Sequence, residues 1–179
     1  MEDVYTLDLI KRLKEKGINM LAVDFDQTMI DIHTGGRWTG TSEELCSHVR
    51  PVFNSLVPLA MQHGIHVAIV TFSPQTRVIA NVLKTAFTEA LASKIPIRGN
   101  DGKWEYKGGG SQDGKQAHIA TVAMELSSKH NIDITRDTTL LIDDDRTNIE
   151  VALRERVRAV WFNPQQPEDF VNNSLQLLQ

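Results

Sequence analysis

The sequence predicts an α/β domain on a mainly parallel central sheet. Three observations predict it. Short apolar runs alternate with helical patterns along the chain. The runs at 20–25, 65–70 and 138–142 are short and continuous, as strands covered on both faces must be. These runs stop at Asp24, Thr71 and Asp143-Asp144. Polar residues converging at strand ends mark the place where parallel sheets carry their sites.

The elements follow in order. Residues 6–16 read as a helix with the apolar stripe Leu9, Ile10 and Leu13, Thr6 as its cap and Gly17 as its end. The first strand follows at 20–25. The segment 30–42 is polar and rich in Gly and Thr, with Gly35-Gly36 and Gly40, and reads as a small flap loop. Ser42 is placed as the cap of a helix reaching about 63, with Glu43 and Glu44 in its first turn. Pro51 and Pro58 interrupt or kink it. After the strand 65–70, Ser73-Pro74 is a helix start, since serine caps and proline suits the first position. Val78, Val82 and Ala86 at spacing four, beside Ile79 and Leu83, give that helix its buried stripe.

Ile95-Pro96-Ile97 suits a short edge strand, where proline is tolerated. The loop 99–114 is expected to hold a small hairpin around Trp104 and Tyr106. Asp113 is expected to cap a helix over 115–130. A strand at 138–142, a helix from 148, a strand at 157–162 and a helix from 168 complete the chain. With no repeat, low-complexity tract or linker, the 179 residues read as one domain, 1–179.

Composition narrows the function. A net charge of −4 gives no bulk attraction to nucleic acid or anionic membrane, so neither is an expected partner. The basic stretch 11–16 lies on a predicted helix and reads as a solvated face. The single cysteine, Cys46, has no intrachain partner, so a reducing, cytoplasmic location is expected. The acidic start lacks a signal-peptide run, and no segment reaches the roughly 20 apolar residues of a membrane helix.

The chemistry starts at Asp24-Phe25-Asp26-Gln27-Thr28. Two carboxylates flank one residue just past a buried strand. Like charges this close repel unless a cation is present or one is protonated. A divalent ion with hard oxygen ligands resolves the repulsion. Asp24 can then attack phosphorus, giving an acyl phosphate that divides the reaction into two steps. Asp26 can protonate the leaving oxygen and later activate water. The same residues also suit a plain turn after a strand.

A second acidic strand end, Asp143-Asp144-Asp145 followed by Asn148, supplies further oxygen ligands. Asp144 is the first choice of metal ligand, with Asp143 and Asn148 behind it or acting through water. Its other reading is a solvated turn and helix cap. Thr71 offers a hydroxyl to a phosphate oxygen. The amides of Phe72 and Ser73 point the same way if the loop turns there. Ser73 also reads as a helix cap. Lys115, at a helix start, is placed to neutralise Asp24 and the phosphoryl charge.

These four segments, in this order, resemble the haloacid dehalogenase superfamily of phosphohydrolases. Its first motif, Asp-x-Asp-x-Thr, is matched by Asp24, Asp26 and Thr28. A strand-ending Thr or Ser is matched by Thr71, a lysine near a helix start by Lys115, and an acidic pair after a strand by Asp143 and Asp144. The resemblance implies a Rossmann-like three-layer fold and phosphotransfer rather than dehalogenation. It also implies Mg2+ held by Asp24, the Asp26 carbonyl and the Asp144 side chain. The pattern Ile142-Asp143-Asp144 with Asn148-Ile149 looks like the small magnesium-dependent phosphatase family, linked to phosphotyrosine and sugar phosphates. Gln27 departs from the Gly, Tyr or Glu more frequent there.

The intervals 29–70 and 72–114 hold no full cap domain, so a capless, open site is expected. Such a site admits a phosphorylated small molecule or a phosphoprotein, or needs a partner to close it. His33, Arg37 and Trp38 on the flap, and Trp104 and Tyr106 beyond, are candidate rim residues, Arg37 as a substrate contact. The expected activity is a phosphomonoesterase. The alternatives are an idle binding or scaffold protein on the same fold, and a phosphotransferase between metabolites.

Overall fold

The computed structural model describes residues 2–178. The elements in chain order are α1 (Glu2–Glu15), β1 (Met20–Val23), α2 (Ser42–Cys46), α3 (Pro51–Gln62), β2 (His66–Val70), α4 (Thr76–Ala86), α5 (Glu89–Ala92), β3 (Ile97–Arg98), α6 (Gln116–His130), β4 (Thr139–Asp143), α7 (Arg146–Arg154), β5 (Arg158–Trp161) and α8 (Phe170–Leu177). The five strands form one parallel sheet in the order β3-β2-β1-β4-β5.

Strand alternation builds the layers. Leu21 and Val23 of β1, with Val67 and Ile69 of β2, face α1, α3, α4 and α8. Met20, Ala22, Ala68 and Val70 face the other way, onto Ile119, Val122 and Leu126 of α6 and Ile149 of α7. The result is the Rossmann-like three-layer arrangement expected from the sequence. Each fully buried Leu, Ile, Val or Phe adds about 1.5–3 kcal/mol to the core. Helices α2 to α5 pack into that core through residues such as Leu45, Phe53 and Leu83, so they do not form a cap.

Register sets the site. Val23 pairs with Ile69 on one side and Ile142 on the other. The carboxyl ends of β1, β2 and β4 therefore finish together, bringing Asp24, Thr71 and Asp143 to one edge.

Several boundaries differ from expectation, each for a local reason. Thr6 lies inside α1 and is buried, so it is not the cap. The helix expected over 42–63 is two. Arg50 is extended (φ −69°, ψ 138°) because the residue before proline avoids the helical region, and Pro51 restarts the helix. Pro58 stays inside α3. Thr41, not Ser42, caps α2. It forms a capping box in which Glu44 N–H donates to Thr41 Oγ1 (3.1 Å) and Thr41 N–H to Glu44 Oε2 (2.8 Å). Ser73 Oγ accepts from Gln75 N–H (3.1 Å), which makes a turn, and α4 begins only at Thr76. Asp113 accepts from Gly109 N–H rather than capping α6. No strand lies around Trp104 and Tyr106 among the described residues; both rings pack on His118 instead.

Gly114 shows how the fold places Lys115. Gly114 (φ 54°) and Lys115 (φ 62°) are consecutive left-handed residues before α6. A Cβ on Gly114 would lie 2.5 Å from Val151 Cβ. Gly114→Val is expected to cost at least about 2 kcal/mol, because overpacking adds to left-handed strain. Urea denaturation measures this; a loss below about 0.5 kcal/mol would contradict the close-packing argument.

Candidate active site

Asp24 extends the ladder by one residue, its N–H donating to Ile142 O at 2.9 Å. The chain then makes a wide turn over Phe25–Met29, closed by Ile30 N–H to Phe25 O (3.0 Å). Within it Gln27 is left-handed at φ 60°, a conformation that costs a non-glycine residue about 1 kcal/mol or more. Buried Phe25, Met29 and Ile30 anchor the turn in the core. Arg50 supports it from below, with its N–H on Met29 O (2.8 Å) and its guanidinium on Gln27 O (3.3 Å).

Lys115 joins the two acidic strand ends. Its ammonium donates to Asp24 Oδ1 and, at 2.8 Å, to Asp143 Oδ2. The three side chains are almost fully buried. Asp143 also accepts from Asn148 Nδ2 (3.0 Å) and from Asp145 N–H (2.9 Å). Thr28 Oγ1 lies 3.0 Å from Asp24 Oδ2 and 3.1 Å from Asp144 Oδ1, and accepts from Asp144 N–H (3.0 Å). One hydroxyl proton serves only one of the two carboxylates at a time.

Asp24, Asp143 and Asp144 each present an oxygen within 4.8 Å of the others. Burial pushes Asp24 up to about 6 against the opposing pull of Lys115. Asp143 is likewise pushed up to about 6 by burial, and then by the Asp24 charge. Burial and Asp143 also raise Asp144. Burial opposes the Lys115 charge, but Asp24 and Asp143 outweigh it and hold the ammonium above the ordinary lysine value. Three crowded carboxylates against one ammonium lack positive charge. A hard oxygen set of this kind can hold a metal ion.

The Asp26 carboxylate lies outside that cluster. It accepts from Thr34 N–H (3.0 Å), Thr34 Oγ1 (2.9 Å) and Gly35 N–H (3.1 Å), with His33 Nδ1 at 3.5 Å. The flap thus orients Asp26. The flap itself is clamped to the start of α4, where Gln75 accepts from Trp38 N–H (2.7 Å) and donates to Trp38 O (2.9 Å).

Thr71 is buried at the end of β2, and its Oγ1 accepts from Ser73 N–H at 3.1 Å. The Ser73 amide is therefore used within the loop and not left for a phosphate, contrary to the sequence expectation. Gly99 presses on this loop, since a Cβ there would lie 2.4 Å from Ser73 O. Phe72 lies under Lys115, with Nζ 5.4 Å from the ring centre. Asn148 is buried, and its Oδ1 has no partner.

These residues enclose a cavity of about 350 Å³, with Phe72, Ser73 and Asn148 in its wall. Arg37 is exposed and outside that wall; Trp38, Trp104 and Tyr106 are half-buried and also outside it, whereas His33 lies in it.

Four contributors carry no functional motif in the sequence, where Arg50 reads as part of a helix and His118 as structural. Gln75 clamps the flap, Arg50 supports the turn, and Trp161 Nε1–H donates to Asp144 O at 2.7 Å. His118 is buried among Phe72, Trp104 and Tyr106 and donates to or accepts from Asn100 Oδ1 at 2.7 Å. Burial, then Lys115 and Arg98, lower His118 to about 4, so it is neutral at pH 7. Its position three residues after Lys115 is the one signal that flags it.

No protein-family model matches the chain, and a search of curated proteins finds no match.

Proposed function

We propose that the chain is a magnesium-dependent phosphomonoester hydrolase acting through an aspartyl-phosphate at Asp24. One observation carries the reading: a buried ammonium, Lys115, bonded to both Asp24 and Asp143 beside the three-carboxylate cluster. A carboxylate held charged beside a fixed cation is the arrangement a nucleophilic displacement at phosphorus needs.

Asp24, Asp143 and Asp144 would hold Mg2+, which supplies charge neutralisation for the phosphoryl oxygens when bound. In the first step an Asp24 oxygen forms a bond to phosphorus while the bond to the leaving alcohol oxygen breaks. Asp26 gives that oxygen a proton. In the second step water attacks phosphorus, Asp26 takes its proton, and the Asp24–phosphorus bond breaks to release phosphate. Lys115 offsets the negative charge through both steps. The lone cysteine, free in the fold, suits a reducing, cytoplasmic setting. No described helix is long and apolar enough to cross a membrane.

A panel of phosphomonoesters with and without Mg2+ tests the reading. Turnover with Mg2+ that chelator abolishes is expected. Mg2+ is also expected to raise the melting temperature at pH 7.5 and to lose that effect by pH 5. Below about 6, Asp24 and Asp143 take up protons that compete with the metal. Phosphate binding without turnover of any ester points to the scaffold reading, and turnover only with an added acceptor points to a phosphotransferase.

A further inference from the structure

The charges around the catalytic cavity bear on which alcohols the site accepts, an inference that rests on the phosphate-handling reading above. Five carboxylates line the cavity: Asp24, Asp26, Asp143, Asp144 and Asp145. Among the described residues in its wall, one ammonium opposes them, and Lys115 is already bonded to Asp24 and Asp143. A bound divalent ion and a phosphoryl dianion cancel in charge, so the excess of acid persists with both present.

The outer wall gives a leaving group no lysine or arginine among the described residues; its basic side chain is the exposed His33 imidazole, whose Nδ1 already lies 3.5 Å from Asp26 Oδ2. Gly35, Gly36 and Pro74 form one side, and they approach so closely that a Cβ on Gly36 would lie 2.7 Å from Pro74 Cδ. Asp145 also lines the cavity and is exposed. Its Oδ1 caps α7 by accepting from Thr147 N–H (2.8 Å), which fixes the side chain at the rim. The two arginines nearest in sequence are placed elsewhere. Arg37 is outside the wall, and Arg146 lies over the Trp161 ring at 3.6 Å.

We propose that the site selects phosphomonoesters whose alcohol portion carries no second negative charge, favouring amino-alcohol phosphates, with Asp145 as the specificity-determining residue. Charges at a partly wet rim still act over several ångströms, and salt weakens them. A carboxylate on the alcohol meets repulsion there, and an ammonium meets attraction.

O-phosphoethanolamine and O-phosphoserine differ by one carboxylate and make a matched pair. Wild type is expected to show a kcat/KM ratio of at least about tenfold in favour of phosphoethanolamine, falling as salt rises. Asp145→Asn keeps a capping side chain while removing the charge. It is expected to cut that ratio at least about threefold, mainly through KM for phosphoserine. Calorimetric titration of Asp24→Asn with each ester reads the same preference as Kd, without turnover.

Equal or better use of phosphoserine overturns the proposal and leaves the hydrolase reading intact. A ratio unchanged in Asp145→Asn overturns the role of Asp145. Preferential binding of phosphoethanolamine by Asp24→Asn, with no ester turned over by wild type, supports the selectivity and removes the hydrolase reading. Turnover of other monoesters with neither member of the pair bound overturns the selectivity alone.

Discussion

Asp24→Asn is expected to reduce turnover by at least about 10³-fold while leaving the fold as stable as wild type or more so. The activity loss follows from the role of the residue. An amide oxygen is a poor nucleophile, and the neighbouring carboxylates are engaged elsewhere: Asp143 is bonded to Lys115 and Asn148, Asp144 to Thr28, and Asp26 is held by the flap. The stability argument comes from the sign of the shift. The folded pKa of Asp24 is about 6 against an ordinary 3.8, so the folded protein binds that proton more tightly than the unfolded chain. At pH 7.5 the ionised carboxylate therefore destabilises the fold, by at most about 3 kcal/mol. Asparagine removes that charge and keeps an acceptor for Lys115. Melting curves of both proteins without metal at pH 7.5 test this. A variant melting several degrees below wild type would show that Asp24 is chiefly a structural partner of Lys115.

This separation of fold from function explains what was readable in the sequence. Asp24, Thr71 and Asp143 were legible because parallel strands buried on both faces leave continuous apolar runs, and a polar residue ending such a run has one place to go. Lys115 was weaker. A lysine at a helix start has no distinctive pattern, and its significance came from the order of the four segments. What stayed hidden depends on pairing across distance. Trp38 and Gln75 meet across 37 positions, through backbone atoms on one side, and backbone atoms carry no sequence signal. Arg50 looked like one more helix residue until Pro51 broke that helix and turned it under Gln27. Ser73-Pro74 suggested a helix start, yet the serine caps a turn instead. Hydroxyl side chains make both bonds, and the close packing of Gly99 and Gly36 on Ser73-Pro74 is a long-range contact with no local pattern.

Lys115→Met has the second large expected effect, and it acts on stability and activity together. The ammonium is 3% exposed and bonded to two carboxylates. Methionine fills similar volume but leaves Asp24 and Asp143 buried without their cation. Breaking a buried pair from one side costs about 3–5 kcal/mol. Loss of the fixed charge beside the reacting phosphorus costs about 10²–10³-fold in turnover. The pH dependence distinguishes this cause from simple mispacking. Lys115 lowers the pKa of both carboxylates, so without it their folded values rise further above 3.8. A group whose folded pKa is raised lends stability on protonation, which builds as pH falls through that pKa. The deficit of the variant relative to wild type is therefore expected to be largest near pH 8 and to shrink by pH 5. Urea denaturation of both proteins at those two pH values measures it. A deficit that is constant with pH would assign the loss to packing, and the buried ammonium would then not be the group that balances the acids of the site.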